Sequence, residues 1–417
     1  MWNTLKWTLA GLVVALVIAL AGVVGFAVGD NSGGSSVTDV NPDSDGGDSG
    51  RYGILNEVES ILDEDFVNPD AINHDALEKG AVDGVIASLG DPHSVYITPE
   101  EYQSGVDIIS GSFEGIGANV DQDPTTGEIT IVTPFRGSPA EKAGILPGDV
   151  ILAVDGESTE GWSVQDAVQK IRGAEGTKVT LTVRHSNRES EDLEITRGTI
   201  VIPTVFAHDV QDENGDVVPG LAYVEIQQFT EQTVNDLRSE LNRITDEGYK
   251  GLVLDLRRNP GGGLDATVSV ADMFLDGGVV LTQVDREGNK TVYNAKDGGE
   301  ATDIAIVILV SNGSASGAEV LSGALRDHGR AKLVGSQTFG KGSVNHLREL
   351  SNGGALYVTI ARWLTPNGTL IEGVGLAPDV PIDLTPQELS DELQKGYGPQ
   401  MSAAIGLLQQ ELAAQAR

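Results

Sequence analysis

Between residues 199 and 385 short apolar runs alternate with helical periodicity, and this pattern constrains the fold more than any other feature of the sequence. Four runs, LAYVEI (221–226), GLVLDL (251–256), DIAIVILV (303–310) and ALYVTI (355–360), read as strands, with helical segments between them. Strands alternating with helices build an α/β domain, and in such sheets ligands and chemistry gather at the carboxyl ends of the strands. Three segments that follow predicted strands carry unusual residues: RRNPGGG (257–263), SNGSASGAEVLSGALRDHG (311–329) and AKLVGSQTFGKGSVN (331–345). These turns are expected to converge.

The N-terminal part follows other periods. Residues 105–198 hold short alternating strands, among them EITIVTP (128–134), DVILAVDG (149–156) and TKVTLTVRH (177–185), and one helical stretch at 164–171. A small β-rich module is expected there. In residues 51–104, Ile54, Leu55, Val58, Ile61 and Leu62 share one helix face. Leu77, Ala81, Val82, Val85 and Ile86 share another, and Asp91-Pro92 closes that second helix. Residues 30–50, rich in Gly, Ser and Asp, read as a flexible linker, and 386–417 as an amphipathic helical tail.

Residues 7–29 contain no charge, and 29 − 7 + 1 = 23 residues at about 1.5 Å each exceed a hydrocarbon core of about 30 Å. Lys6 precedes this run, Asp30 follows it, and the next basic residue is Arg51. By the positive-inside tendency, residues 1–29 read as a cytoplasmic tip and single-pass transmembrane anchor in the cell membrane, with the rest extracytoplasmic. A cleaved signal peptide is the competing reading; its apolar region is shorter, about 7–15 residues.

The formal net charge of −35 argues against a nucleic-acid partner, since a phosphate backbone requires clustered Lys and Arg. With no cysteine, thiolate nucleophiles, disulfides and Cys-ligated metals are excluded. The six histidines show neither HExxH nor paired metal-ligand spacing. GSQTFGKG (335–342) nearly fits a phosphate-binding loop, but Gly342 replaces the hydroxyl that would hold Mg²⁺. GGGLDA (261–266) fits a dinucleotide turn, yet RRNP separates it from its strand. No metal and no cofactor is expected.

Ser316 opens a helical stretch whose apolar face is Val320, Leu321, Ala324 and Leu325. A serine there most often caps the helix. The same location suits a nucleophile, because free N–H groups at a helix start stabilise an oxyanion. Ser314 is a rival in the same turn, and helix geometry does not choose between them.

Residues 111–162, above all SPAEKAGILPGDVILAVDG (138–156), resemble a PDZ domain. The resemblance implies that Gly115, Ile116, Gly117 and Ala118 form the loop that binds a peptide carboxylate, with an open strand edge beside it. NGSASGAEVLSGALRD followed by GSQTFGKGSVN resembles the active-site region of the C-terminal processing (tail-specific) serine proteases. LDLRRNPGGGLDATVSVADMFLDGG and GAVDGVIASLGDPHSVYI extend the likeness over residues 51–385.

That family resemblance implies a crotonase-like α/β serine-protease domain at 199–385, with Ser316 as nucleophile and Lys341 as base, 341 − 316 = 25 residues apart. Lys341 would have to be desolvated to act as a base, because its ordinary pKa of about 10.4 keeps it protonated. A family glutamine that orients the lysine falls at Asn345, whose amide is one methylene shorter. Asp327 falls where a third catalytic member has been counted, but three helical turns, about 16 Å, separate it from Ser316. The oxyanion hole is assigned to the backbone N–H groups of Gly317 and Gly262. The partners implied are protein substrates with apolar C-termini and a second copy in a homodimer. The alternative function is a catalytically silent PDZ adaptor.

Overall fold

The computed structural model describes residues 52–99, 101–102, 112–135, 137–185, 189–201 and 203–415. They divide into two compact units, one of 52–102 with 344–360 and one of 112–343 with 361–415.

In the smaller unit, α1 (Gly53–Asp65) and α2 (His74–Ala87) occupy the region of helical periodicity. The Asn73 side chain caps α2 by accepting from the Ala76 N–H. The second helix ends before Asp91-Pro92, where Gly90 takes a left-handed conformation (φ 66°). The apolar face of α1 is uncovered: none of its residues is buried. A short strand, β1 (Val95–Ile97), closes this N-terminal part.

The β-rich module begins the larger unit with β2 (Ser112–Gly115), β3 (Ala118–Gln122) and β4 (Ile129–Pro134). The short helix α3 (Pro139–Lys142), β5 (Val150–Val154), β6 (Glu157–Ser158) and α4 (Val164–Ile171) follow. Then come β7 (Lys178–Arg184), β8 (Ser190–Thr196) and β9 (Gly198–Val201). The main sheet has the order β3-β4-β5-β7-β8, so β3 is an edge strand. Ile129, Ile131, Ile151, Leu181 and Val183 alternate inward along these strands, and α4 adds Ala167 and Ile171 to the same core.

Three of the four apolar runs that opened the sequence analysis, LAYVEI, GLVLDL and DIAIVILV, form the centre of a second sheet, whereas ALYVTI (355–360) lies in a different one. The second sheet begins with β10 (Val205–Gln211) and β11 (Val217–Ile226), followed by α5 (Glu231–Asp246) and β12 (Gly251–Asp255). Next are α6 (Leu264–Asp272), the hairpin β13 (Gly278–Asp285) and β14 (Lys290–Ala295), and β15 (Ala305–Val310). The helix α7 (Gly317–Asp327) leads to β16 (Ala331–Gly335), β17 (Ser343–Glu349) and β18 (Ala355–Leu364). The short β19 (Val380–Pro381) precedes the terminal helices α8 (Pro386–Lys395) and α9 (Pro399–Gln415).

The order is β10-β11-β12-β15-β16-β19, parallel from β11 onward, so Asp255, Val310 and Gly335 end at one edge. Both faces are covered, which is why β12 and β15 read as continuous apolar runs. Val253, Ala305, Val307 and Leu309 pack on Met401, Ala404, Ile405 and Leu408 of α9. The tail thus contributes to the core of this domain. Buried Arg257 ties it to the end of β12: its guanidinium donates to Asp255, Glu392 and Gln400 at 2.6, 2.7 and 3.0 Å.

One expectation of the fold class is corrected. No helix among the described residues is long and apolar enough to cross a membrane. Spanning takes about 20 apolar residues; α9, the longest, has 17 and carries Glu411. Among the described residues the fold class is therefore a β-rich module joined to a mixed α/β domain, with no transmembrane helix. The uncharged run at 7–29 and the linker at 30–50 lie outside the described residues.

Candidate active site

Three turns leave the carboxyl edge of the parallel sheet and lock together through backbone contacts. The Leu256 N–H donates to Leu309 O, and the Ser336 N–H donates to Val310 O. In the turn 311–315, the Ser311 and Ser314 hydroxyls donate to the carbonyls of Arg257 and Leu256, at 2.6 and 2.7 Å. Ser314 is fully buried with its hydroxyl directed at the backbone. The two serines of this turn are thereby told apart: Ser314 joins strand ends, and Ser316 is the partly exposed one.

Ser316 adopts φ 51° and ψ −113°. It and Asp155 are the only non-glycine described residues with positive φ. Such a conformation costs about 1–3 kcal/mol and persists only where its surroundings over-determine it. Here the Ala315 N–H donates to Asn259 O at 3.0 Å, and the Ser316 N–H donates to Glu319 Oε2 at 2.9 Å. The first turn of α7 follows directly, and Gly317 to Leu325 are all buried.

The NPGGG turn wraps against this point. Fully buried Asn259 donates to Ile226 O and accepts from the Gly261 N–H at 2.8 Å. A Cβ on Gly261, at φ 109°, would lie 2.8 Å from Ser316 Cβ, so only glycine fits. Gly262 is clamped against Phe229, whose carbonyl accepts from the Gly263 N–H at 2.8 Å. The N–H groups of Gly262 and Gly317 have no acceptor among the described residues, consistent with the orphan donors at a helix start. Neighbouring Gly261 already donates its N–H to Asn259.

Lys341 lies on the third turn and is 7% exposed. Burial pushes its ammonium down to about 8, against the opposing pull of the Glu372 and Glu319 carboxylates. Phe339 is 60% exposed, whereas the glycines admit close backbone approach. A Cβ on Gly342 would fall 2.2 Å from the Glu372 N, and the Gly373 N–H donates to Gly340 O at 2.9 Å.

The residue joining these parts is Glu319, which the sequence reading missed. It is fully buried in the first turn of α7. Oε2 accepts from the N–H groups of Ser316 and Lys341, both at 2.9 Å. Oε1 accepts from the Gly340 N–H at 2.7 Å and the Thr338 hydroxyl at 2.5 Å. Burial raises its pKa while these four donors oppose the shift. The spacing S-x-x-E, a helix-start signature, was the available signal.

The other sequence-selected residues fall elsewhere. Asp327, at the far end of α7, accepts from the Asn367 N–H at 2.9 Å and so pins the turn after β18. Asn345 lies in the smaller unit, where its amide donates to His93 O and Thr359 Oγ1 at 2.9 and 3.1 Å. In the β-rich module, Gly117 has φ 77°, and a Cβ there would sit 2.6 Å from Ser138 Cβ. The carbonyls of Ile116 and Gly117 accept from Ala140 and Phe135, leaving their N–H groups without an acceptor among the described residues. Ala118 begins the open edge strand beside them. No cluster of three or more His, Asp or Glu suited to a metal occurs among the described residues.

The class is that of a serine-type peptidase with a PDZ module, as comparison with known proteins shows. Residues 220–382 match the model of peptidase family S41, and 130–185 match that of the PDZ domain. The chain is 38% identical over 339 residues to the carboxy-terminal processing protease CtpA of Bacillus subtilis, covering 81% of this chain and 70% of that protein. A probable CtpA-like serine protease of Staphylococcus aureus is 40% identical over 334 residues, 79% of this chain and 65% of the relative. Among solved structures, the photosystem II D1 C-terminal processing protease is 29% identical, with a TM-score of 0.47, covering 81% of this chain and 95% of that one. The chain belongs to the carboxy-terminal processing serine proteases of family S41. It is a serine-type peptidase, and its substrates are proteins.

Proposed function

We propose that this peptidase cleaves by acyl transfer, with Ser316 as nucleophile and Lys341 as general base. The observation that carries the reading is the shared Glu319 carboxylate, which ties the backbones of both residues into one buried site. With its ammonium pushed down to about 8, Lys341 is partly neutral near physiological pH and able to accept a proton. It takes the hydroxyl proton as Ser316 Oγ attacks the scissile carbonyl. The tetrahedral oxyanion is met by the N–H groups of Gly262 and Gly317. Collapse expels the amine, which takes the proton from Lys341. Water, deprotonated by the same lysine, then attacks the ester, returning the free carboxylic acid and Ser316.

The substrate's free C-terminus is held by the N–H groups at Ile116–Ala118 and its chain is added to the β3 edge. The partly buried Ala118, Val120 and Val164, packed on the module's core, support a preference for apolar C-terminal residues. Homodimerisation is supported by the uncovered α1 face, on which Ile54, Val58 and Ile61 are 59, 47 and 50% exposed. Ile54→Glu is expected to shift the molar mass measured by light scattering toward a monomer. The uncharged run at 7–29 supports substrates outside the cytoplasm, checked by which cell fraction retains the protein.

The mechanism is tested with an unstructured protein substrate ending in apolar residues. Ser316→Ala and Lys341→Ala are each expected to lower kcat by at least about 10³-fold. Full activity in the first variant overturns the nucleophile; full activity in the second overturns the base. An adaptor would bind the substrate's C-terminus and cleave nothing, even in the unaltered chain.

A further inference from the structure

A lysine that acts as base becomes an ammonium in mid-reaction, inside a site that burial has made hostile to charge. Acceptance of the proton therefore requires a nearby anion. Two carboxylates act on Lys341: Glu319 from α7, and Glu372 from the turn that follows β18. Glu319 is committed to four donors, of which three are backbone N–H groups and one is the Thr338 hydroxyl. Its work is to hold the turns.

Glu372 stands differently. The segment 338–342 lies against 371–376, joined by Gly373 N–H to Gly340 O at 2.9 Å, Thr338 N–H to Leu376 O at 3.2 Å, and Leu376 N–H to Thr338 Oγ1 at 2.7 Å. On its other side the Trp363 N–H donates to Gly342 O at 2.7 Å. The backbone of Glu372 touches Gly342, the neighbour of Lys341, so closely that no side chain could be inserted. This apposition fixes the backbone of Glu372 against that of Gly342, the residue next to Lys341. The turn is fixed in its own right, since the Val374 and Gly375 N–H groups both donate to Ile371 O.

We infer that the Glu372 carboxylate is the counter-charge for the Lys341 ammonium formed during acylation, which makes it a positioning residue for the reaction. The inference rests on Lys341 being the base. It assigns to Glu372 the part of orienting partner that the sequence had offered to Asn345. Of the two anions, Glu372 acts the more strongly on the lysine.

The decisive measurement is the pH profile of kcat and kcat/KM for Glu372→Gln, with melting temperatures recorded in parallel. Loss of the anion makes the ammonium harder to form, so the acid limb moves to lower pH, by about one unit. At the plateau kcat falls by about tenfold or more, because the proton-bearing lysine has lost its partner. Glu372→Asp keeps the charge but withdraws it by one methylene; its smaller shift in the same direction serves if the Gln variant does not fold. An acid limb that coincides with the wild type in the folded variant, or moves to higher pH, overturns the inference. Loss of activity in Lys341→Ala with an unmoved limb in the Glu372 variants discards this inference alone. Activity retained in Lys341→Ala discards the base assignment beneath it.

Discussion

Two glycine-bearing turns of this chain, each proposed to present backbone N–H groups to a negative charge, are built in opposite ways. The PDZ turn at 115–118 is local: its carbonyls are held by Phe135 and Ala140, and a lone edge strand follows it. The turn at 259–263 is held by Ile226, Phe229 and the backbone around Ser316, so three separate segments, 226–229, 259–263 and 315–317, meet there. A site that only binds can rest on one element with an open edge. A site that must meet a developing oxyanion has to be fixed by several, since misplacement by about 1 Å can cost about a hundredfold in rate.

This contrast can be broken from either side. The largest effect is expected at the hub of the catalytic turns. Glu319→Gln should lower kcat by about a hundredfold or more and cost about 2–3 kcal/mol, because bonds to a buried carboxylate are strong and a neutral amide cannot accept from all four donors. Thermal unfolding and single-turnover kinetics measure the two losses. A variant with unchanged kcat would mean that the turns are held independently of Glu319.

The PDZ side should respond in KM. Gly117→Val forces a branched side chain to φ 77° and into Ser138. It is expected to raise KM for protein substrates about tenfold, and far less for a short peptide with a blocked C-terminus. Equal effects on both substrates would show that the module also shapes the catalytic site.

The smallest effect concerns stability and sharpens what burial of the lysine costs. The folded pKa of Lys341, about 8, lies below its ordinary 10.5. Between these values the unfolded chain binds more protons, so stability rises with pH across this window. Lys341→Met should abolish cleavage, remove that slope, and raise Tm at pH 7 by a few degrees. A lower Tm at pH 7 would mean that the lysine's contacts outweigh its desolvation.

The two turns also differ in how far sequence alone reveals them. The PDZ turn is legible because a specific motif, SPAEKAGILPGDVILAVDG (138–156), accompanies it, although Ser138 lies 138 − 117 = 21 residues from Gly117. Glu319 was hidden because S-x-x-E at a helix start normally describes a cap, and the donors at Thr338, Gly340 and Lys341 lie 19 to 22 residues further on. Glu372 was hidden for the same reason, on a turn that carries no motif of its own. Ser314 and Ser316 shared one turn, and only the carbonyl of Leu256, 58 residues away, told them apart.

By itself, the sequence determined the order of elements, the β-rich module and the α/β domain, because strand and helix periods are local properties. It also determined which turns would meet, since parallel strands bring their carboxyl ends to one edge. Tertiary structure alone decided that α9 belongs to the core while the apolar face of α1 lies bare. It also decided that Asp327 pins a turn, and that two glutamates from different segments act on one lysine. Desolvation and through-space charge depend on what packs from elsewhere in the chain, and spacing along a sequence does not carry that information.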